Sequence, residues 1–151
     1  MNSVKGTLNS VQLIGRLGRD PELRVTAGGT GVCEFSVATN RIAGRNANGE
    51  REYATEWINV QVWEKLADVC NTYLRKGRRV MVSGSLRTDS WEDRDSGQRR
   101  YKTYVRGYEV MFLDTPDDSS EPRVIRESDE SLYDSSDSSV PEIEEDQDIP
   151  F

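Results

Sequence analysis

Histidine is absent from this sequence of 151 residues, and cysteine occurs only twice. The chain therefore lacks the commonest general base of enzymes and the commonest protein ligand of zinc. Cys33 and Cys70 lie far apart and form no CxxC pair, which argues against a disulfide framework and is typical of a reduced cytosolic protein. We expect a protein that is not an enzyme and has no metal site or cofactor.

Long apolar runs are also missing. No run approaches the roughly 20 residues that a transmembrane helix needs, and the first residues contain no apolar signal core. We therefore expect a soluble protein of the cytoplasm, with no membrane partner.

Charge is distributed unevenly and divides the chain near Asp114. Residues 1–113 hold 18 Lys+Arg against 13 Asp+Glu, a net charge of +5, whereas residues 114–151 hold 2 basic and 14 acidic residues, net −12. A body of 113 residues is long enough for one domain with a core. Its positive charge indicates a polyanionic partner, and the acidic tail would either compete with that partner for the body or bind something basic.

Apolar periodicity in the body predicts five strands and one short helix. The predicted strands cover residues 7–15, 32–41, 55–63, 80–86 and 99–113. The helix covers residues 66–74, Gly77 ends it, and Gly84 is predicted to bend its strand. Residues 15–21, 42–52 and 90–97 are predicted to be turns or loops. Three strands, a helix and two strands are the order of an all-β, five-stranded OB-fold barrel.

The strand at residues 55–63 has two unlike faces. Ile58, Val60 and Val62 alternate with a second set that mixes two indoles with two carboxamides, namely Trp57, Asn59, Gln61 and Trp63. Such a mixed face suits the stacking and hydrogen bonding of unpaired bases. Taken alone, the strand equally allows tryptophans that belong to the core or to a subunit interface.

Basic and aromatic residues interleave from Arg99 to Arg106, which is typical of proteins that bind single strands. Cations attract phosphates while rings stack on bases. The alternative is an exposed strand with solvated charges and one tyrosine on the core. Arg41, in a segment rich in Gly and Asn, would either contact phosphate or be solvated.

The segment after residue 113 has few apolar residues, many acids and eight serines, so residues 114–145 are predicted to be disordered. The last six residues differ, because an acidic run ends in Ile-Pro-Phe. We interpret residues 146–151 as a docking peptide for basic, apolar pockets, carried by Asp146, Asp148, Ile149, Pro150 and Phe151. The alternative is a solubilising tail.

Several motifs occur in an order that resembles the bacterial single-stranded DNA-binding protein family. They are GRLGRDPELR (15–24), FSVATN (35–40), TEW (55–57), KLA (65–67), YLRKG (73–77), GSLRT (84–88) and the acidic Ile-Pro-Phe ending. The resemblance implies a homotetramer of OB folds around which single-stranded DNA wraps without catalysis. It also implies partners among replication, recombination and repair proteins, and a location on the nucleoid.

The resemblance also selects site residues and favours stacking on the 55–63 strand. The DNA-binding residues that we predict are Trp57, Trp63, Trp91, Arg41, Arg87, Arg100, Tyr101 and Lys102. The sequence departs from the family pattern at a few positions, and Trp63 stands where the family often has Phe. Ile42 and Ala43 stand where a further stacking aromatic is common, and Gln147 interrupts the acidic run of the tip.

Three rival functions are compatible with parts of this pattern. An RNA-binding OB domain would use the same stacking and phosphate contacts. A protein scaffold would use the tryptophans in its interfaces. A metal-dependent nuclease is the weakest rival, because no paired acids on one strand of the body would hold the metal.

Overall fold

The computed structural model describes residues 4–114 and 123–128, which form seven strands and one helix. In chain order the elements are β1 (Val11–Leu17), β2 (Glu22–Val25), β3 (Gly31–Arg45), β4 (Arg51–Trp63), α1 (Glu64–Tyr73), β5 (Arg79–Glu92), β6 (Arg99–Phe112) and β7 (Arg123–Arg126).

Five of the strands close into a barrel. Antiparallel pairing joins β3 to β4, β1 to β5 and β5 to β6. A short parallel contact between β4 and β6 and a two-residue pairing of β1 with β3 complete the ring. The helix lies between the third and fourth barrel strands. This is the OB fold that the order of elements predicted, so the prediction is confirmed.

Inward side chains of the barrel strands and one face of α1 form the core. Phe35, Val37 and Val60 are completely buried, and Leu66 and Cys70 of the helix pack against them. The predicted helix is confirmed, but Gly77 does not end it, because the helix stops at Tyr73 and its C-cap, Leu74, is extended. In the described ranges no helix is long and apolar enough to cross a membrane.

The two hairpins extend further from the barrel than the sequence predicted. β3 and β4 remain paired as far as Arg45 and Arg51, and β5 remains paired with β6 as far as Glu92 and Arg99. The predicted loops at residues 42–52 and 90–97 were therefore too long. Both faces of these extensions are exposed, so backbone pairing forms strands without a buried apolar side to mark them in the sequence.

Three further boundaries differ from the prediction. β1 continues through Gly15 to Leu17, because a residue without Cβ lets β3 approach; a Cβ on Gly15 would overlap the carbonyl oxygen of Ala38. The exposed strand β2 was missed.

β7 lies inside the segment predicted to be disordered, and that prediction was wrong at these four residues, since they pair with the edge of β6 and bury Ile125. Residues 129–145 and the predicted docking peptide lie outside the described residues.

The register between β5 and β6 shifts where the sequence predicted a bend. Ser83 is opposite Glu109 while Gly84 is opposite Gly107, so β6 contains one extra residue, as in a β-bulge. The predicted irregularity at Gly84 is confirmed. It lies where the pairing of β5 with β1 ends, next to the two residues of β6 that pair with β4.

Both thiols are buried and free, and we expect neither to react in the folded protein. Burial, followed by the charges of Glu34 and Asp68, raises the pKa of Cys33 to about 12. Burial also raises the pKa of Cys70, with a contribution from Cys33. Because the thiolate is the reactive form, a thiol reagent at pH 8 should label neither cysteine before denaturation and both after it. Rapid labelling of the native protein would contradict this burial.

Candidate nucleic-acid interface

The outward side chains of β4 and of the β5–β6 hairpin lie on one continuous surface, which we call the aromatic face. Gln61 is the parallel partner of Arg106, and Arg100 is directly opposite Trp91. Paired residues point to the same side of a sheet. The aromatic face therefore comprises Trp57, Asn59, Gln61 and Trp63 of β4, Arg87, Asp89 and Trp91 of β5, and Arg100, Lys102, Tyr104 and Arg106 of β6.

Trp57 is the most exposed indole of the aromatic face, with 60% of its surface accessible. Its ring lies against Gly18, where an added Cβ would overlap Cζ3 of the indole. The glycine thus lets the ring lie close to the backbone. An exposed ring with a fixed position is suited to stacking on a base, because it loses little side-chain entropy when the base arrives.

Trp63 lies about 20 Å from Trp57 along the same strand, at the usual rise of a strand, and its environment is different. The guanidinium carbon of Arg106 lies 4.9 Å from the centroid of the Trp63 ring, as in a cation–π contact. The Trp63 Nε1–H is buried and has no acceptor within the described part of the chain. One side of this ring is already occupied, so Trp63 is less available for stacking than Trp57.

Trp91 lies near the end of the β5–β6 hairpin and is 47% exposed. Arg100, directly opposite, donates from Nε to Oδ2 of Asp93 at 2.9 Å. The ion pair is solvent-exposed on the arginine side, and such pairs contribute little to stability. A phosphate could therefore replace the carboxylate at Arg100 at low energetic cost.

Glu34 of β3 is directly opposite Gln61 of β4 and accepts three hydrogen bonds on one oxygen. The donors are Gln61 Nε2 at 2.6 Å, Arg24 Nη2 at 3.0 Å and Lys102 Nζ at 3.3 Å. Partial burial by itself raises the pKa of Glu34, but the charges of Lys102 and Arg24 and the hydrogen bonds outweigh it, and the pKa is lowered. Glu34 is thus ionised near neutral pH and fixes the position of Lys102.

Six of the eight predicted DNA-binding residues lie on the aromatic face, and two do not. Arg41 points to the opposite side of its hairpin, where its Nε lies 2.6 Å from Oε1 of Glu56. Tyr101 is 66% exposed, but it is opposite Ser90 and faces away from Arg100 and Lys102. The structure therefore brings together Trp57, Trp63, Trp91, Arg87, Arg100 and Lys102.

Two further residues of this surface were not among the predicted DNA-binding residues. Arg106 contacts the Trp63 ring and pairs with Glu127 at 3.0 Å. Tyr53 is 66% exposed, is opposite Ile42, and points to the same side of β4 as Trp57. It would have been found by extending the alternation of β4 four residues toward the N-terminus. In the ranges that the structure covers, no three or more His, Cys, Asp or Glu side chains form a group that could hold a metal ion.

Comparisons with known proteins agree with this architecture. The solved complex of a Plasmodium falciparum SSB with ssDNA is similar in fold, with a TM-score of 0.63 and 36% identity, covering 76% of this chain and 100% of that chain. Single-stranded DNA-binding protein 1 of Chlorobaculum tepidum is 42% identical over 110 residues, which cover 73% of this chain and 67% of the relative. Single-stranded DNA-binding protein 1 of Synechocystis is 35% identical over 115 residues, covering 76% and 91%.

The family match covers the whole barrel. The sequence model of the single-strand binding protein family matches residues 8–113, from before β1 to the end of β6. The aromatic face therefore lies entirely within the matched region. This chain belongs to the single-strand binding protein family.

Proposed function

We propose that this protein binds single-stranded DNA with little sequence preference, by stacking bases on the aromatic face and holding phosphates with the surrounding cations. The exposed Trp57 ring, fixed against Gly18 on a barrel of this family, is the observation that carries the proposal. Each stacked base contributes about 1–3 kcal/mol as measured by alanine substitution, whatever its identity, because every base has a π-face. Arg87, Arg100 and Lys102 supply charge beside the rings.

The C-terminal tip has a separate role in this proposal. Residues 146–151 recruit replication, recombination and repair proteins, with Phe151 in an apolar pocket and Asp146, Asp148 and the α-carboxylate paired with basic residues around it. The side chains of Ile149 and Pro150 complete the apolar contact. The acidic charge of the segment supports this role.

We also propose that the protein is a homotetramer and works on DNA in the cytoplasm. β1 pairs with β3 only at Arg16 and Leu17, so within the described residues its edge at residues 11–15 has no strand on that side. Ile14 is 51% exposed beside this edge. An open edge with apolar side chains is a site where a second copy can add its own strand.

Titration of intrinsic tryptophan fluorescence with a long oligothymidylate tests DNA binding directly. We expect strong quenching at a fixed number of nucleotides per protein, with log affinity falling linearly with log salt by about 0.7 per neutralised phosphate. A chain lacking residues 146–151 should bind equally or more tightly, because it carries less negative charge, and should lose its protein partners. The measurement is made at low and high salt on both chains.

Three results would contradict parts of this proposal. Unchanged emission, with no shift in the mobility of the oligonucleotide, would favour a protein scaffold. Tighter binding of a matched RNA oligomer would favour an RNA-binding function. A large loss of DNA affinity after removal of residues 146–151 would mean that the tip contributes to DNA binding itself.

A further inference from the structure

A row of outward residues leads from Trp57 across the barrel to its opposite side. Trp57 is opposite Ala38 of β3, Ala38 is opposite Arg16 of β1, and Arg16 is opposite Arg79 of β5. Directly opposite residues share a face, so these four side chains follow one another around the outside of the barrel. At about 4.8 Å between strands, Arg16 lies about 10 Å and Arg79 about 14 Å from Trp57 around the barrel.

The middle of this row is open. Ala38 has the shortest side chain that a non-glycine residue can have, and it separates the Trp57 ring from the Arg16 side chain. Nothing large stands between them in the row, so a strand leaving a base stacked on Trp57 can continue over Ala38. Arg16 and Arg79 are both exposed beyond it.

The Arg16 guanidinium and the backbone N–H of Arg79 hold an anionic group in the protein itself. Asp114 Oδ2 accepts from Arg16 Nη1 at 3.1 Å and from the backbone N–H of Arg79 at 2.9 Å. Arg78 Nη1 donates to the Asp114 carbonyl oxygen at 3.3 Å. Like charges that are directly opposite on neighbouring strands repel one another, and the Asp114 carboxylate offsets that repulsion. The arrangement of donors is that of a site for an oxyanion.

The carboxylate is held loosely enough to be replaced. The Arg16 and Asp114 side chains are 61% and 37% exposed, and ion pairs with this exposure are weak. A guanidinium binds a phosphate at least as well as it binds a carboxylate, because its planar fork matches two phosphate oxygens.

We propose that Arg16 and Arg79 bind the backbone phosphates of nucleotides next to the base stacked on Trp57, and that Asp114 occupies this site until DNA replaces it. This inference rests on the proposed binding of single-stranded DNA. It extends the DNA path from the aromatic face across β3 to the β1–β5 side of the barrel. It also gives Asp114, the residue directly after the family-matched region, a role in competing with DNA.

The test is the salt dependence of oligothymidylate binding by the full chain carrying Arg16→Gln and Arg79→Gln together. Loss of two phosphate contacts should reduce the log–log slope by about 1.4, and each single variant should reduce it by about 0.7. Arg16→Lys keeps the charge and should keep most of the slope. Arg75→Gln is the matched control. It removes the same charge at a residue that follows α1 and lies outside the row.

Asp114→Asn provides a second test that does not remove a cation. Asparagine keeps an oxygen that can accept from the Arg79 N–H, while the competing charge is lost. Affinity for oligothymidylate at low salt should therefore rise about two- to fivefold, in line with the strength of exposed ion pairs.

An unchanged slope in the double arginine variant, with normal fluorescence quenching, would overturn this inference and leave the proposed function intact. If the wild-type chain itself fails to bind DNA, both fail. The inference is also wrong if a free peptide of residues 146–151 binds the wild type but not the double variant while DNA binding is unchanged. The row would then be a site for the acidic tail.

Discussion

Replacing Trp57 by alanine is expected to weaken oligothymidylate binding by about 5- to 150-fold, which corresponds to about 1–3 kcal/mol for one stacked base. Trp57 should have the largest effect of the three tryptophans, because its ring is the most exposed and is fixed against Gly18. Trp63 already has Arg106 on its ring. A base that stacks there has to share or displace the guanidinium.

Fluorescence anisotropy of a labelled oligothymidylate is the suitable measurement, because the substitution removes a tryptophan from the quenching signal. Trp57→Phe should recover much of the affinity, since it keeps a flat ring at the same position. Tyr73→Ala is the matched control, because Tyr73 is an aromatic residue on α1 that is 55% exposed and lies away from the aromatic face. Equal affinity of Trp57→Ala and the wild type would exclude Trp57 from the DNA contact.

The sequence predicted the barrel because its strands bury one side. Buried Cys33, Phe35 and Val37 alternate with the polar residues Glu34 and Ser36. Burial of one face forces a period of two on the sequence. Where a strand leaves the barrel, as at residues 42–45 and 87–92, both faces meet solvent and this constraint disappears. Strand ends of that kind cannot be read from apolar alternation.

The arrangement of the candidate site could also be predicted only in part. The run Arg100-Tyr101-Lys102 was interpreted as one interleaved surface, but the period of two places the tyrosine on the opposite side of β6 from both cations. The cation on Trp63 is contributed by Arg106, which is distant in sequence and adjacent only because β4 and β6 pair in parallel. Side-chain phase could be predicted from the strand, whereas contacts between strands required the topology.

Replacing Gly84 by alanine is expected to lower the free energy of unfolding by about 3 kcal/mol, at the upper end of the usual cost of overpacking. A Cβ at this position would overlap the carbonyl oxygen of Arg106 and crowd the Cα of Gly107. Both neighbours are backbone atoms in a paired strand, so they cannot rotate away as a side chain does. The clash also falls where the register of β5 and β6 shifts, and relieving it requires the barrel strands to separate.

Urea denaturation followed by circular dichroism measures this loss, with Gly28→Ala as the matched control. The atom nearest to a Cβ on Gly28 is Thr26 Oγ1 at 3.9 Å, so that variant should remain within about 0.5 kcal/mol of the wild type. Equal midpoints for the two variants would mean that β5 and β6 can move apart freely at this point.

Because Arg106 is the residue displaced, Gly84→Ala should also shift the Arg106 guanidinium away from Trp63 and change the indole emission of the folded protein. A native emission spectrum in a destabilised variant would show that the strain is absorbed by β5 instead.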